Sequence, residues 1–256
     1  MEITPNDSSL FRCAIEALKE FLPQAQLRVS SRGVAVFGMD AAHVGFVDYF
    51  LSASDCSMLK VAGGVQKTIG IVTADLACVL SNVGSGDKVT LSLSKDGAKL
   101  IVSYVNEKIA KKAVYELSTL MIDEDTIQIP ELSFDASIQM KTNDVYGALK
   151  EVSVFGDVVH FVLNEDGFHI SSSGDKGSVT QTLENTGDRE MDLSGDDDVK
   201  IMLAVKYINQ IFKGGASLSN KVHIQFDNGA QPLRAGFSFG TESRFVAFLA
   251  PKLSDE

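Results

Sequence analysis

The sequence is poor in cysteine and lacks a long apolar run. Its three cysteines, Cys13, Cys56 and Cys78, lie far apart among 256 residues and form no Cys-x-x-Cys pair. Such an odd, sparse set does not form a disulfide framework and indicates a reducing compartment, and without the pair we expect no structural zinc site. No segment approaches the roughly 20 apolar residues that span a bilayer, so we expect no membrane association.

Catalytic motifs are also absent from the sequence. Four histidines occur, at positions 43, 160, 169 and 223, without a His-Glu-x-x-His, Gly-x-Ser-x-Gly or Walker motif beside them. The glycines of NVGSGDKV resemble a phosphate-binding loop, but no Gly-Lys-Ser/Thr follows them, so we expect a polar turn there. We therefore expect no catalytic residue, no metal and no cofactor. A hydrolase that uses Asp40 and His43, both in GMDAAHVGF, is the alternative from another functional class.

Positive charge is in the minority. The chain has 23 lysines and arginines against 34 aspartates and glutamates, which gives a net charge of −11. This balance argues against a protein that coats itself on nucleic acid, because phosphate binding needs positive charge. A local cationic surface on an otherwise acidic protein is still compatible with this net charge, so the positions of the lysines and arginines matter more than their total.

The chain contains one pattern of helices twice. The tetrapeptide Ala-Leu-Lys-Glu occurs two times, 131 residues apart, which is about half of the chain. Apolar residues at helical spacing predict one helix over residues 10–22 and its counterpart around residues 145–152. The same spacing predicts a second pair of helices over residues 73–83 and 203–213.

A predicted hairpin follows the second helix of each copy. The segments KVTLSLSKDGAKL and KVHIQFDNGAQPL both alternate apolar and polar residues and then turn at Asp-Gly or Asn-Gly, which suit a tight hairpin. Since helices, strands and turns recur with one offset, we expect an α+β fold of two similar domains, each with two helices on antiparallel β-sheet. The expected boundaries are an N-terminal domain over 1–117, a connecting loop over 118–135 and a C-terminal domain over 136–256.

Two acidic segments stand out between the apolar ones. The connecting loop, STLMIDEDTIQIPELSFD, holds five carboxylates, and its Pro130 blocks regular structure, so we expect an extended linker. The segment 184–198 holds seven acidic residues against the single Arg189. Charge runs of this kind are usually solvated, and we expect a loop there.

The predicted helices carry lysine and arginine on their polar faces. Short amphipathic helices lay their apolar stripes on a sheet, which turns the polar stripes outward. Cations on the helices and anions in the loops would attract DNA phosphates weakly and without base recognition. The polar positions are Arg12, Glu16 and Lys19 on the first helix, Lys150 on the third, and Lys206, Asn209 or Gln210, and Lys213 on the fourth.

Several short motifs extend this interpretation. The chain carries EALKEFL, GMDAAHV, IQIPE and a terminal FLAPKLSDE in this order. Together with the duplicated α+β layout, they resemble the proliferating cell nuclear antigen family of DNA sliding clamps. The similarity runs from about Leu10 to the C-terminus, through both halves and the linker.

The resemblance implies a ring without catalytic activity. Members of the family that the chain resembles are homotrimers of two-domain subunits, in which helices line a central hole and sheets lie outside. Such a ring encircles double-stranded DNA non-specifically, is opened by a clamp loader, and tethers DNA polymerase and other proteins that carry a clamp-binding peptide. The residues that match DNA-facing positions of the family are Arg12, Lys19, Lys111, Lys150, Lys206 and Lys213.

Ring closure would use two exposed edge strands, since such edges invite pairing and a head-to-tail contact can close into a ring. The segments KKAVYEL and SVTQTLE look like the two partners. The expected interface residues are Lys111, Lys112, Ala113, Val114 and Tyr115 on one edge, and Ser178, Val179, Thr180, Gln181 and Thr182 on the other.

The resemblance also implies a pocket for partner peptides, between the domains and under the linker. An apolar pocket takes the hydrophobic anchors of such a peptide, while backbone groups near His43 and Ala250 meet its polar ones. The residues expected to line it are Met39, His43, Val44, Phe46, Ile127, Ile129, Pro130, Pro232, Phe248, Ala250 and Pro251.

The sequence departs from the family at positions that bear on function. Cys13, Cys78, Ser81 and Gly147 stand where many members have lysine or arginine, so we expect a less basic hole. Asn164-Glu165 stands where many eukaryotic members have a lysine that is ubiquitinated, which puts that regulation in doubt. A subunit of a checkpoint-type heterotrimeric clamp is the alternative within the fold. The expected location is the nucleus, or the cytoplasm for an archaeal chain or a cytoplasmic virus.

Overall fold

The computed structural model describes residues 1–84, 86–122, 132–195 and 197–253. The α-helices of this part of the chain are α1 (Ser8–Lys19), α2 (Thr73–Ser81), α3 (Thr142–Val152) and α4 (Val205–Ala216). The strands of the first half are β1 (Glu2–Pro5), β2 (Gln24–Ser30), β3 (Gly33–Met39), β4 (Gly45–Ser52), β5 (Cys56–Lys60), β6 (Lys67–Val72), β7 (Lys88–Leu93), β8 (Lys99–Asn106) and β9 (Lys111–Ser118). Those of the second half are β10 (Ala136–Lys141), β11 (Val158–Asn164), β12 (Gly167–Gly174), β13 (Gly177–Leu183), β14 (Glu190–Leu193), β15 (Val199–Ala204), β16 (Lys221–Phe226), β17 (Leu233–Phe239) and β18 (Ser243–Leu249).

The order of these elements is the same in both halves. Each half runs through one strand, a helix, five strands, a second helix and three strands. The prediction of two similar α+β halves, each with two helices and antiparallel sheet, is therefore confirmed. No helix in the described part of the chain is long and apolar enough to cross a membrane.

The chain folds as two compact units. Among the described residues, unit 1 contains 1–41, 47–84, 86–122 and 239–245, and unit 2 contains 42–46, 132–195, 197–238 and 246–253. Unit 1 holds a five-stranded sheet in the order β5-β1-β7-β8-β9 and a second run of strands in the order β6-β2-β3-β4. Unit 2 holds a four-stranded sheet in the order β13-β12-β11-β15 and a run in the order β14-β10-β16-β17-β18.

Helix α1 shows how local sequence sets these elements. The Asp7 side chain caps the helix by accepting hydrogen bonds from the amides of Ser9 and Leu10, at 2.8 and 2.9 Å. The helix ends at Lys19 rather than at the predicted residue 22. Pro23 disfavours the helical conformation at the residue before it, so the chain leaves the helix there, with its last two apolar side chains still buried.

Helix α4 differs from its prediction at both ends. It starts at Val205 instead of residue 203, because Leu203 belongs to β15, where alternate side chains are buried. It continues past Lys213 through two glycines. Gly215 is required there, because a Cβ atom at this position would lie 2.1 Å from Cε1 of the buried Phe237 ring.

The acidic segment 184–198 is not the solvated loop that its charge predicts. Its middle forms β14, which pairs antiparallel with β10 at the edge of the sheet. Arg189 donates from Nη2 to Asp144 at 3.0 Å and from Nη1 to the Glu184 carbonyl at 3.0 Å. Lys141 Nζ donates to Asp188 at 2.7 Å. Exposed acidic residues alternate with the half-buried Met191 and Leu193, which is the pattern of a strand. The high charge of the segment led to the prediction of a loop instead.

Candidate nucleic-acid interface and partner-binding surfaces

Helices α3 and α4 carry exposed lysines in unit 2. The Nζ atom of Lys150 lies 4.6 Å from the centroid of the Tyr146 ring, and that of Lys206 lies 5.6 Å from the Tyr207 ring. Lys213, two turns further along α4, is exposed as well. A ring face steadies an ammonium group without neutralising its charge, so these lysines remain available to an anion.

Helix α1 presents less positive charge than its sequence suggests. Lys19 Nζ donates to the Glu16 carboxylate at 2.5 Å, and this hydrogen bond raises the pKa of Lys19. Since Glu16 belongs to the same polar stripe, it cancels much of the field of Lys19. Arg12 is half-buried, and its Nη1 donates to the carbonyl of Val83, just after α2, at 3.4 Å.

Lys111 lies at the start of β9 and not on a helix. Its Nζ atom is 4.9 Å from the centroid of the Tyr104 ring. The residue before it, Ala110, has a left-handed backbone with φ of 50°, which turns the chain into the strand. Asp87 carries a pKa below its usual range, first because the Gly84 amide donates to it and partly because Lys111 is near.

The four positions where the resemblance leads us to expect a lysine or arginine differ in their exposure to solvent. Cys78 and Ser81 are exposed on α2, and Cys13 is half-buried on α1. Gly147 on α3 has no atom within 4 Å of where a Cβ would stand. A long side chain therefore fits at Gly147, and its absence lowers the positive charge of this helix.

Strands β9 and β13 are edge strands, one in each unit. β9 pairs with β8 and is last in its sheet, and β13 pairs with β12 and is last in its own. Along both strands, exposed side chains alternate with half-buried ones, and Val114 on β9 is 54% exposed. The structure places the predicted interface residues here: Lys111, Lys112, Ala113, Val114 and Tyr115 on β9, and Ser178, Val179, Thr180, Gln181 and Thr182 on β13. Their pairing between subunits stays a prediction.

Part of the predicted peptide pocket comes together in unit 2. The amide of Ala250 donates to the carbonyl of Val44 at 2.9 Å. The rings of Phe46 and Phe248 pack at a tilt of 51°, with centroids 5.9 Å apart. His43 is exposed and has a left-handed backbone with φ of 57°, which is uncommon outside glycine.

The other predicted pocket residues fall into three groups. Pro232 and Pro251 are half-buried in unit 2, and Met39 is 38% exposed at the end of β3 in unit 1. Ile127, Ile129 and Pro130 lie outside the described residues. The role of the eleven residues as a pocket stays a prediction.

Both ends of the predicted connecting loop are held by hydrogen bonds, one end to β2 and β6 and the other to the loop between β16 and β17. The Leu120 amide donates to the Gly70 carbonyl at 2.9 Å, and Gln26 Nε2 donates to the Ile122 carbonyl at 3.0 Å. At the other end, the Gln231 side chain bonds both the amide and the carbonyl of Ser133, at 3.2 and 2.9 Å.

One cationic cluster was missed by the sequence reasoning. Arg28, Arg32 and Arg244 line a groove of about 700 Å³ in unit 1, together with the rings of Phe37 and Phe50. The signal was present as Arg28-Val29-Ser30, where polar residues alternate with a buried one on β2. The sequence does not indicate the whole cluster, because β2 and β18 are separated by most of the chain.

Comparison with known proteins agrees with this architecture. A family model described as the proliferating cell nuclear antigen N-terminal domain matches residues 1–128, and the model of the C-terminal domain matches residues 128–252. These two matches, in tandem over a duplicated α+β chain, define a DNA sliding clamp. The chain belongs to the proliferating cell nuclear antigen family. This bears out the resemblance, and it supports a sliding-clamp role in DNA replication and repair.

Two relatives show how far the chain has diverged. It is 25% identical over 261 residues to the proliferating cell nuclear antigen of Chaetomium thermophilum, with 100% of this chain and 99% of the relative covered. It is 25% identical over 255 residues to proliferating cell nuclear antigen 2 of Drosophila melanogaster, with 100% of this chain and 98% of the relative covered. The similarity is therefore low in identity and complete in length.

Proposed function

We propose that the chain is a replication processivity factor that closes into a homotrimeric ring around duplex DNA and has no catalytic activity. The observation that carries this proposal is the tandem match of both clamp-domain models over the whole chain. In this proposal the ring slides on DNA and tethers DNA polymerase and repair proteins, after a clamp loader has opened it. A tether raises the effective concentration of polymerase at the primer, up to about the millimolar range for a short flexible link.

Contact with DNA would be electrostatic and independent of sequence. The exposed Lys150, Lys206 and Lys213 are the main cations that we assign to the hole, and Lys111 and Arg12 are assigned to it as well. Lys19 contributes less, because Glu16 holds it. The contribution of these cations to affinity would fall as salt is raised, so retention at high salt would come from closure around the duplex.

We propose that β9 of one subunit pairs with β13 of the next. The open edges on two different sheets support this head-to-tail contact. Native mass spectrometry tests it, with an expected particle of about 82 kDa, three times the mass of one chain of 27.5 kDa.

A matched pair of variants assigns the contact. Val114→Lys places a charge on the β9 edge, where Val114 is exposed in the single subunit, and should shift the trimer to monomer. Val65→Lys is the control, since Val65 is 66% exposed and lies between β5 and β6. A trimer that survives Val114→Lys as it survives Val65→Lys would remove β9 from the interface.

Partner proteins would bind at the predicted peptide pocket, with residues 118–135 as the connecting loop between domains. The packed Phe46 and Phe248 rings and the backbone bond between Val44 and Ala250 support an apolar site with a fixed backbone. A peptide Gln-x-x-Leu-x-x-Phe-Phe should bind with micromolar or better affinity, about −8 kcal/mol. Ile129→Ala and Pro251→Ala should weaken it, as titration calorimetry can measure, and no heat at high peptide concentration would refute the pocket.

The nucleus is the proposed location, because both relatives come from eukaryotes. The alternative of a checkpoint-type heterotrimer predicts that this chain alone does not close a ring. Observation of the homotrimer in the same mass measurement decides between the two.

A further inference from the structure

We propose that unit 1 carries a binding groove for an acidic peptide segment of a partner protein, on the exposed face of β2, β3, β4 and residues 243–245 of β18, which belong to unit 1. This inference uses residues of one unit only, so it does not depend on ring closure or on the predicted peptide pocket. The groove has a volume of about 700 Å³.

The alternation of each strand separates the groove from the core. On β2, Leu27 and Val29 are buried, while Arg28 between them is turned to the opposite face. On β4, Tyr49 and Leu51 are buried, and Phe50 lines the groove. The polar and aromatic lining therefore lies on the face opposite the core and is not a gap in the core.

Two of the three arginines are held in place by aromatic rings. The Arg28 guanidinium carbon lies 3.9 Å from the centroid of the Phe37 ring, and that of Arg244 lies 5.2 Å from the Phe50 ring. Arg28 Nη2 also donates to Gln26 at 3.1 Å. A stacked guanidinium keeps its planar fork of donors for a carboxylate and loses little side-chain entropy when it binds one.

The charges of the groove favour a peptide over a nucleic acid. The lining contains the three arginines and two carboxylates. Asp48 accepts from Arg244 Nη2 at 3.3 Å, and Glu242 accepts from the Ser52 hydroxyl at 3.1 Å. The groove thus has an excess of one positive charge in a chain of net charge −11. A phosphodiester backbone has an anion at every residue and no N–H donor, so Asp48 and Glu242 would repel it. A peptide offers N–H groups to these carboxylates and side-chain carboxylates to the arginines.

The sheet geometry sets the spacing of the acidic residues. In the order β2-β3-β4-β18, Arg28 and Arg244 lie on strands three intervals apart. At about 4.8 Å per interval this is roughly 14 Å, which an extended peptide covers in about four residues. The occupant therefore carries two acidic side chains four positions apart and crosses the strands.

The test uses the full chain and a defined probe. The probe is the fluorescein-labelled peptide Ser-Gly-Glu-Ala-Thr-Ala-Glu-Gly-Ser, and the matched peptide has glutamine in place of both glutamates. Fluorescence anisotropy should show saturable binding of the acidic peptide only, with affinity that falls as salt is raised from about 50 to about 300 mM. A labelled oligothymidylate should bind more weakly than the peptide.

Variants assign the binding to the groove. Arg28→Gln combined with Arg244→Gln should weaken binding by roughly tenfold or more, because each charge-assisted hydrogen bond contributes strongly when both partners are ionised. The control combines Lys88→Gln with Lys95→Gln, which removes the same charge from exposed positions outside the groove and should leave affinity unchanged. Amide chemical shifts of the unsubstituted chain give a second readout, with shifts expected on β2 and β4.

Each contrary outcome overturns the proposal. These are no saturable binding of the acidic peptide, equal binding of the glutamine peptide, equal loss in the lysine control, or tighter binding of the oligothymidylate. Shifts confined to unit 2 would likewise assign the peptide to another surface.

Discussion

Two glycines in the two helices of unit 2, Gly147 in α3 and Gly215 in α4, should respond in opposite ways to the same substitution. Gly215→Ala places a Cβ atom 2.1, 2.3 and 2.6 Å from three atoms of the Phe237 ring. That ring cannot retreat easily, because it is fully buried and packs edge-on against the fully buried Phe212, with centroids 5.8 Å apart. Overpacking of this kind costs about 1–3 kcal/mol.

Gly147→Ala is the matched control in α3. Nothing lies within 4 Å of its Cβ position, so the only effect is the gain of about 0.5–1 kcal/mol from replacing glycine inside a helix. At Gly215 this gain is smaller, because the residue is next to last in α4. We therefore expect a net loss of about 1–2 kcal/mol for Gly215→Ala and a net gain for Gly147→Ala.

Urea unfolding followed by circular dichroism measures both changes. The variants and the unsubstituted chain must be compared at one protein concentration, because subunit association adds to the apparent free energy of unfolding. A Gly215→Ala variant as stable as the unsubstituted chain would refute the packing of α4 on Phe237. A Gly147→Ala variant that loses stability would show that the open space at α3 is misplaced.

Three further predictions concern charge and titration. In a homotrimer, Lys206→Gln with Lys213→Gln removes two lysines from each of three subunits and should lower the salt slope of DNA binding by up to about five. Gly147→Lys adds one lysine to each subunit and should raise the slope by up to about three. Unchanged slopes would move the DNA contact away from these helices. Burial, and then the charge of Arg234, lower the pKa of His223, so the folded state takes up a proton less readily than the unfolded state. The free energy of unfolding should therefore fall as pH drops below about 6.5. His223→Gln should remove this part of the pH dependence, and an unchanged pH profile of the variant would contradict the prediction. Burial and the nearby Asp55 raise the pKa of the Cys56 thiol to about 11. Iodoacetamide at pH 8 should therefore label the exposed Cys78 much faster than Cys56, as mass spectrometry can measure. Equal labelling rates would contradict the burial of Cys56.

The sequence predicts the helices and hairpins because their local chemistry is self-sufficient. Between β7 and β8, Gly97 has φ of 76°, which suits the predicted Asp-Gly turn, but residues 94–98 form a longer loop than the tight hairpin that the sequence predicts. In β16 and β17, Asp227 accepts hydrogen bonds from the amides of Gly229 and Gln231 and so fixes the second turn. The repeat of these local signals at one offset is what makes the two-domain fold readable.

Features that depend on distant residues could not be read in this way. The extension of α4 through Gly215 depends on Phe237, which is 22 positions away and has no local signal at the glycine. β14 is stabilised by β10 and by the pairs of Arg189 and Lys141, whereas its own sequence is dominated by charge. Likewise, the groove of unit 1 joins residues of β2 and β18 that the sequence separates by most of its length.

The sequence predicts functional residues only where they lie together on one helix or strand. Lys206 and Lys213 share one helix, so helical spacing alone predicts their common exposure. Lys19 and Glu16 also lie on one helix, so the sequence could have predicted that Glu16 offsets the positive charge of Lys19. Pairing of β9 with β13 between subunits is not a property of one chain, and it rests on the family resemblance and on the two open edges.

The measurement that tests the central proposal most directly is retention on circular DNA. The chain is loaded on a nicked plasmid by a clamp loader, the complex is isolated by gel filtration in high salt, and the plasmid is then cut once. A ring that encircles DNA should remain with the circle, because few phosphate contacts need to survive the salt, and should slide off after the cut. Chain that never stays with the circle, or that stays equally after the cut, would contradict encirclement.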